Sequence, residues 1–198
     1  MPRIIEYPEV LRRITREGLV SLYHNSGAFG FAGEMTTQTV GWIGPPDPTI
    51  RPAALELAQA IPPPHAANLA ALLMRAWRDR LAPAEAWFMP RSHWSFELDF
   101  ASHAWLPEVL REIGIDPAPL TGLNNAAAIA FINEEGEATH LNRLARALLD
   151  HLTTSDFSIV FPGHRVVCTL HHHRQLWWVT SENGLAQLLR DLPLQCPS

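Results

Sequence analysis

The chain has 198 residues, 47% of them hydrophobic, and a formal net charge of -5, which is enough to bury one full core or two small, closely packed ones. All 15 basic residues are arginine; without lysine there is no Schiff base, no P-loop lysine and no kinase-type phosphate lysine. The arginines alternate with acids, as in REG (16–18), RDR (78–80) and REI (111–113), so no basic stripe points to nucleic acid and none is expected as a partner.

Arg3, Glu6, Glu9, Arg12, Arg13, Arg16 and Glu17 leave no room near the start for the apolar core of a signal peptide. No run of eighteen apolar residues follows, so a cytoplasmic location without membrane contact is expected. PEVLRRI (8–14) reads as an amphipathic helix with proline at its start. HNSGAFGFAG (24–33) has glycine at every third position but is not a dinucleotide fingerprint, because TTQTVGWIG after it reads as strand rather than helix. Two readings of it are open. As a mobile loop it would present His24, Asn25, Ser26, Phe29 and Phe31 to a ligand or partner; as a hairpin it would tuck the two aromatics into the core.

PPDPTIRPAALELAQAI (45–61) reads as a proline-rich connection and a short helix from about Pro52, HAANLAALLMRAW (65–77) as a helix and AWFMP (86–90) as a strand. In WSFELDF (94–100) Trp94, Phe96, Leu98 and Phe100 alternate with Ser95, Glu97 and Asp99, the pattern of a strand with one wet face. That face would gather His93, Glu97 and Asp99, a set able to hold a divalent metal or to divide acid and base roles; the plainer reading is a solvated sheet face.

PEVLREI (107–113) repeats PEVLRRI 99 residues later. Flanking segments keep the same order: Asn25 with Asn124, 65–77 with 140–152, 86–90 with 158–162, 94–100 with 166–172, and 106–115 with 185–194. The expected fold is therefore α+β, a mostly antiparallel sheet covered by helices on one face, with a strand-helix-strand-strand-helix unit duplicated about a pseudo-two-fold axis. The first half would be 1–106, with insertions at 27–37 and 45–61, the second 107–198, and the two would pack as one domain. Convergence of similar Leu-, Ala- and Arg-rich helices is the competing explanation.

FSIVFPGHRVVCTLHHHRQLWWVT (157–180) reads as a three-stranded antiparallel meander. Pro162-Gly163 suits a type II turn, and His171 to Gln175 makes the second connection. Trp177 and Trp178 must face opposite ways, and Cys168, alternating with Val166 and Leu170, is expected to be a buried small hydrophobe. Cys168 and Cys196 form neither a disulfide framework nor a zinc knuckle. His171, His172 and His173 would splay to opposite faces if extended, and so would not share one ion. No motif has catalytic spacing and no cofactor is implied. The reading is a non-enzymatic ligand-binding or protein-assembly module, with a small molecule, a protein or a second copy of the chain as partner. The alternative is a small-molecule hydrolase using His and carboxylate acid/base or metal chemistry in a cleft between the halves.

Overall fold

Alternating apolar runs put a side chain on each face of a strand in turn, and here both faces find cover. The computed structural model describes residues 1–24, 26–33, 36–44, 58–121 and 127–192. Among these, eight strands form one sheet, in the spatial order β1 (Arg3–Ile5), β7 (Ala128–Phe131), β6 (Ala86–Pro90), β8 (Phe157–Val160), β9 (Val166–His171), β10 (Gln175–Thr180), β4 (Gln38–Ile43) and β5 (Ala58–Ala60). All neighbours run antiparallel except β4 and β5, which are parallel. β2 (Leu19–Ser21) and β3 (Phe29–Phe31) make a separate antiparallel hairpin.

The first face carries Trp42, Phe88, Phe131, Phe157, Leu170 and Trp178. It packs under α2 (His65–Arg80), α6 (Glu135–His151), α4 (Leu106–Glu112), the short α5 (Ala118–Thr121) and α7 (Asn183–Arg190) in one apolar cluster. The second face presents Trp87, Met89, Ala128, Ala130, Val160 and Val167 to α1 (Tyr7–Arg16) and to the β2–β3 hairpin. α1 buries Tyr7, Val10 and Ile14 there, a 3- and 4-residue spacing that forms one helical stripe. The α+β architecture is as expected, but helices lie on both faces of the sheet. No helix among the described residues is long and apolar enough to cross a membrane.

The meander is as read. Gly163 has φ +100 and the His164 amide donates to the Phe161 carbonyl at 2.9 Å, as a type II turn requires. Cys168 is fully buried, and burial pushes its thiol pKa well up.

The strand read at 94–100 is instead a short helix, α3 (Trp94–Phe96), that continues as a π-helical turn over Glu97–Ala101. Trp94 and Leu98 point into the core while Phe96 and Phe100 pair on the outside, ring centroids 6.3 Å apart. Four apolar residues at every second position also form two i,i+4 pairs of a helix, so the alternation was ambiguous. The order helix, strand, strand expected for both 65–100 and 140–172 therefore holds only for the latter. The two PEVLR helices also lie on opposite faces, α1 on the second and α4 on the first. The short helix read from Pro52 falls largely on residues 45–57, outside those described; the end of that segment, Ala58–Ala60, is strand β5. Asn124 and Cys196 also lie outside the described residues.

Candidate functional site

β6 and β9 run in one direction and β8 and β10 in the other, so Arg91, Asp156 and the turn after His171 meet at one edge of the sheet. There the Arg91 amide donates to the Asp156 carbonyl at 2.9 Å, and its guanidinium lies 3.9 Å from Asp156 Oδ2. Asp156 Oδ1 lies 2.8 Å from His172 Nδ1, accepts the His172 amide at 3.2 Å, and is 3.8 Å from His171 Nε2.

The three histidines do not splay. His171 closes β9 opposite Gln175, and the chain then turns, with Arg174 at φ +56. This curls His172 and His173 back over His171; ring centroids are 4.2 Å apart for 171–172, 4.0 Å for 172–173 and 4.9 Å for 171–173. His171 also stacks on Trp177 at 4.6 Å, which covers the second-face tryptophan while Trp178 is buried in the first-face core. The His173 amide donates to His171 Nδ1 at 3.2 Å, whereas His173 Nδ1 is buried without a partner among the described residues. Burial lowers the His171 pKa to about 4; the charges of His172, His173 and Arg91 push the same way, and Asp156 opposes them.

Next to Asp156 in the chain, Ser155 donates to Glu97 Oε2 at 2.8 Å; Ser102 donates to the same oxygen at 3.1 Å and Ser92 to Oε1 at 2.5 Å. Glu97 is fully buried, and desolvation raises its pKa against these three hydrogen bonds. The structure does not bring His93, Glu97 and Asp99 together. On the helical segment His93 and Asp99 are exposed while Glu97 turns inward as an anchor joining three loops.

The glycine-rich segment divides as well. Phe29 and Phe31 lie on β3 against the second-face core, the hairpin alternative. Ser26 is buried, its hydroxyl donating to the Tyr23 carbonyl at 3.2 Å and accepting from the Ala28 amide at 3.3 Å. Gly27 donates its amide to the Pro90 carbonyl at 3.0 Å, and a Cβ there would sit 2.3 Å from that oxygen, so only glycine allows the approach. Asn25 is outside the described residues. His24 is exposed and, with Tyr7, Pro8, Leu11, Ser21, Leu22 and Tyr23, lines a cleft of about 530 Å³ between α1 and the hairpin turn. Reading the sequence missed Asp156 and the converging histidines, since no local pattern marks them.

Comparison with protein-family models, with curated proteins and with solved structures finds no match to the chain.

Proposed function

We propose that this chain is a non-enzymatic binding and assembly module that docks a second copy of itself through the α1–hairpin cleft. One observation carries the reading: Leu11, Leu22 and Tyr23 stand exposed together around that cleft, Leu22 at 51% and Tyr23 at 69%. Exposed apolar groups gathered at one place mark interaction surfaces, and tyrosine is enriched in them. The groups protrude instead of enclosing a ligand, which favours a protein over a small molecule. The same patch offers both a concavity and side chains that protrude, so a two-fold contact lets each copy's Leu22 and Tyr23 enter the other's cleft. An internal duplication belongs to this reading only for the helix-strand units α2–β6 and α6–β8, whose helices pack together and whose strands are antiparallel neighbours.

Sedimentation velocity of the purified protein should show a concentration-dependent dimer, and Leu22→Glu with Tyr23→Ala should leave a folded monomer. A wild type that stays monomeric at high concentration would sink the reading.

The hydrolase alternative draws support from one place, a cleft of about 480 Å³ lined by Glu9, Glu85 and His164. Against it, both Glu85 oxygens are taken by the Arg3 guanidinium at 2.7 and 2.9 Å, and one also accepts from the Trp87 indole at 2.7 Å. Glu9 is paired with Arg12. Glu85 is thus a structural clamp, and Glu9 stands in an exposed ion pair along its own helix.

A further inference from the structure

The histidine turn has more donor capacity than its own contacts use. One ring nitrogen from each of His171, His172 and His173 lies within 4.8 Å of the other two. We propose that this turn binds one divalent transition-metal cation of the zinc–copper class through the three imidazoles, with Asp156 as the carboxylate that positions His172.

The geometry supports this in three ways. Zinc–nitrogen bonds of about 2.0–2.1 Å in a tetrahedral site require ligand nitrogens about 3.3 Å apart, so the rings need to close by roughly an ångström and a half at most. His172 and His173 sit on a partly exposed turn where side-chain rotation supplies that movement. Second, with protons assigned from the heavy-atom partners, Asp156 takes Nδ1–H of His172 and lies nearest Nε2 of His171. The 2.8 Å contact favours the tautomer that leaves Nε2 of His172 as a lone-pair donor, the outer-sphere arrangement that orients a metal-bound imidazole. The Nδ1 lone pair of His171 is held in the free protein by the His173 amide, a neutral hydrogen bond that a metal displaces. Third, the buried Nδ1 of His173 has no partner among the described residues, a polar atom left over for a ligand.

The chemistry selects the cation class. Metal binds through an imidazole lone pair, which each of the three side chains carries on one ring nitrogen in its neutral form. Three nitrogens and no ligating carboxylate suit zinc or copper and disfavour calcium and magnesium, which demand oxygen. Three protein ligands leave a fourth position open to water or to a group from a partner.

Zinc titration of the untagged full chain, read by calorimetry and by competition with a chromophoric chelator, tests the site. The expected result is one zinc per chain, with affinity falling at least tenfold in His172→Ala and in His173→Ala. His164→Ala, at the opposite edge of the sheet, should bind as the wild type does, and magnesium should not compete. Asp156→Asn should weaken zinc by about 10- to 100-fold while the metal-free protein melts at nearly the wild-type temperature. Cobalt bound to the wild type should give the strong visible absorption of a four-coordinate ion, and His172→Ala should lose it. No saturable zinc binding by the wild type would overturn the proposal. So would equal affinity in a His172→Ala, His173→Ala double variant, which would mean an adventitious ion only. Unchanged affinity in Asp156→Asn would overturn the part given to that carboxylate.

Discussion

The two faces of one sheet carry different kinds of side chain. Under α2, α4, α6 and α7 the first face is apolar almost throughout, from Trp42 across Trp178, Leu170 and Phe157 to Phe131, with Thr180 an exception that donates to the Arg165 carbonyl at 2.8 Å. The second face is apolar only beneath α1 and the hairpin; beyond them it changes to Ser158, Thr169, His171 and Gln175, with Trp177 stacked over the edge. Burial alone accounts for the first face. On the second, cover is incomplete, and both the apolar cleft and the convergent histidines arise where it runs out. Chemistry is available on this fold where the hydrophobic effect has left side chains unused.

Trp177 and Trp178 place this difference on adjacent residues. Trp178→Ala empties a fully buried site and should cost about 4 kcal/mol, whereas Trp177→Ala loses one ring stack and the indole hydrogen bond to Gln175 Oε1 and should cost about 2 kcal/mol. Urea unfolding monitored by far-UV circular dichroism measures both, and similar losses would erase the contrast between faces. Next in size, Phe29→Ala should destabilise by about 3 kcal/mol, because β3 lies in the covered part of the second face. A loss below about 1 kcal/mol would mean the hairpin is the loose contact loop of the alternative reading.

The smallest expected effect concerns Glu97, a charged residue under the first-face roof. Burial raises its pKa above the ordinary 4.5, so the folded state holds this proton more tightly than the unfolded chain does. The sign follows: this contribution to stability is fully present below pH 4.5 and is lost as pH rises through the folded value. Glu97→Gln should remove that part of the pH dependence while keeping an acceptor for the serines. The urea midpoint of wild type should therefore fall relative to the variant between pH 4.5 and pH 7, other carboxylates cancelling in the difference. A midpoint that rises relative to the variant would reverse the assignment of desolvation as the dominant cause.

Local pattern in the sequence determined the meander of β8, β9 and β10, its Pro162-Gly163 turn, the burial of Cys168 and the opposed tryptophans, because turn chemistry and period-two alternation act between neighbours in the chain. Tertiary structure decided what local pattern leaves degenerate. Trp94, Phe96, Leu98 and Phe100 satisfy strand and helix alike, and the helix prevails because Trp94 and Leu98 fit the core while Glu97 meets Ser92, Ser102 and Ser155. The repeated PEVLR stretch specifies an amphipathic helix but not which face of the sheet receives it. Three consecutive histidines converge only because a turn breaks the strand beside them and Asp156, from the neighbouring strand's approach, takes hold of His172. Such an arrangement depends on groups distant in the chain, and residue-to-residue periodicity carries no information about them.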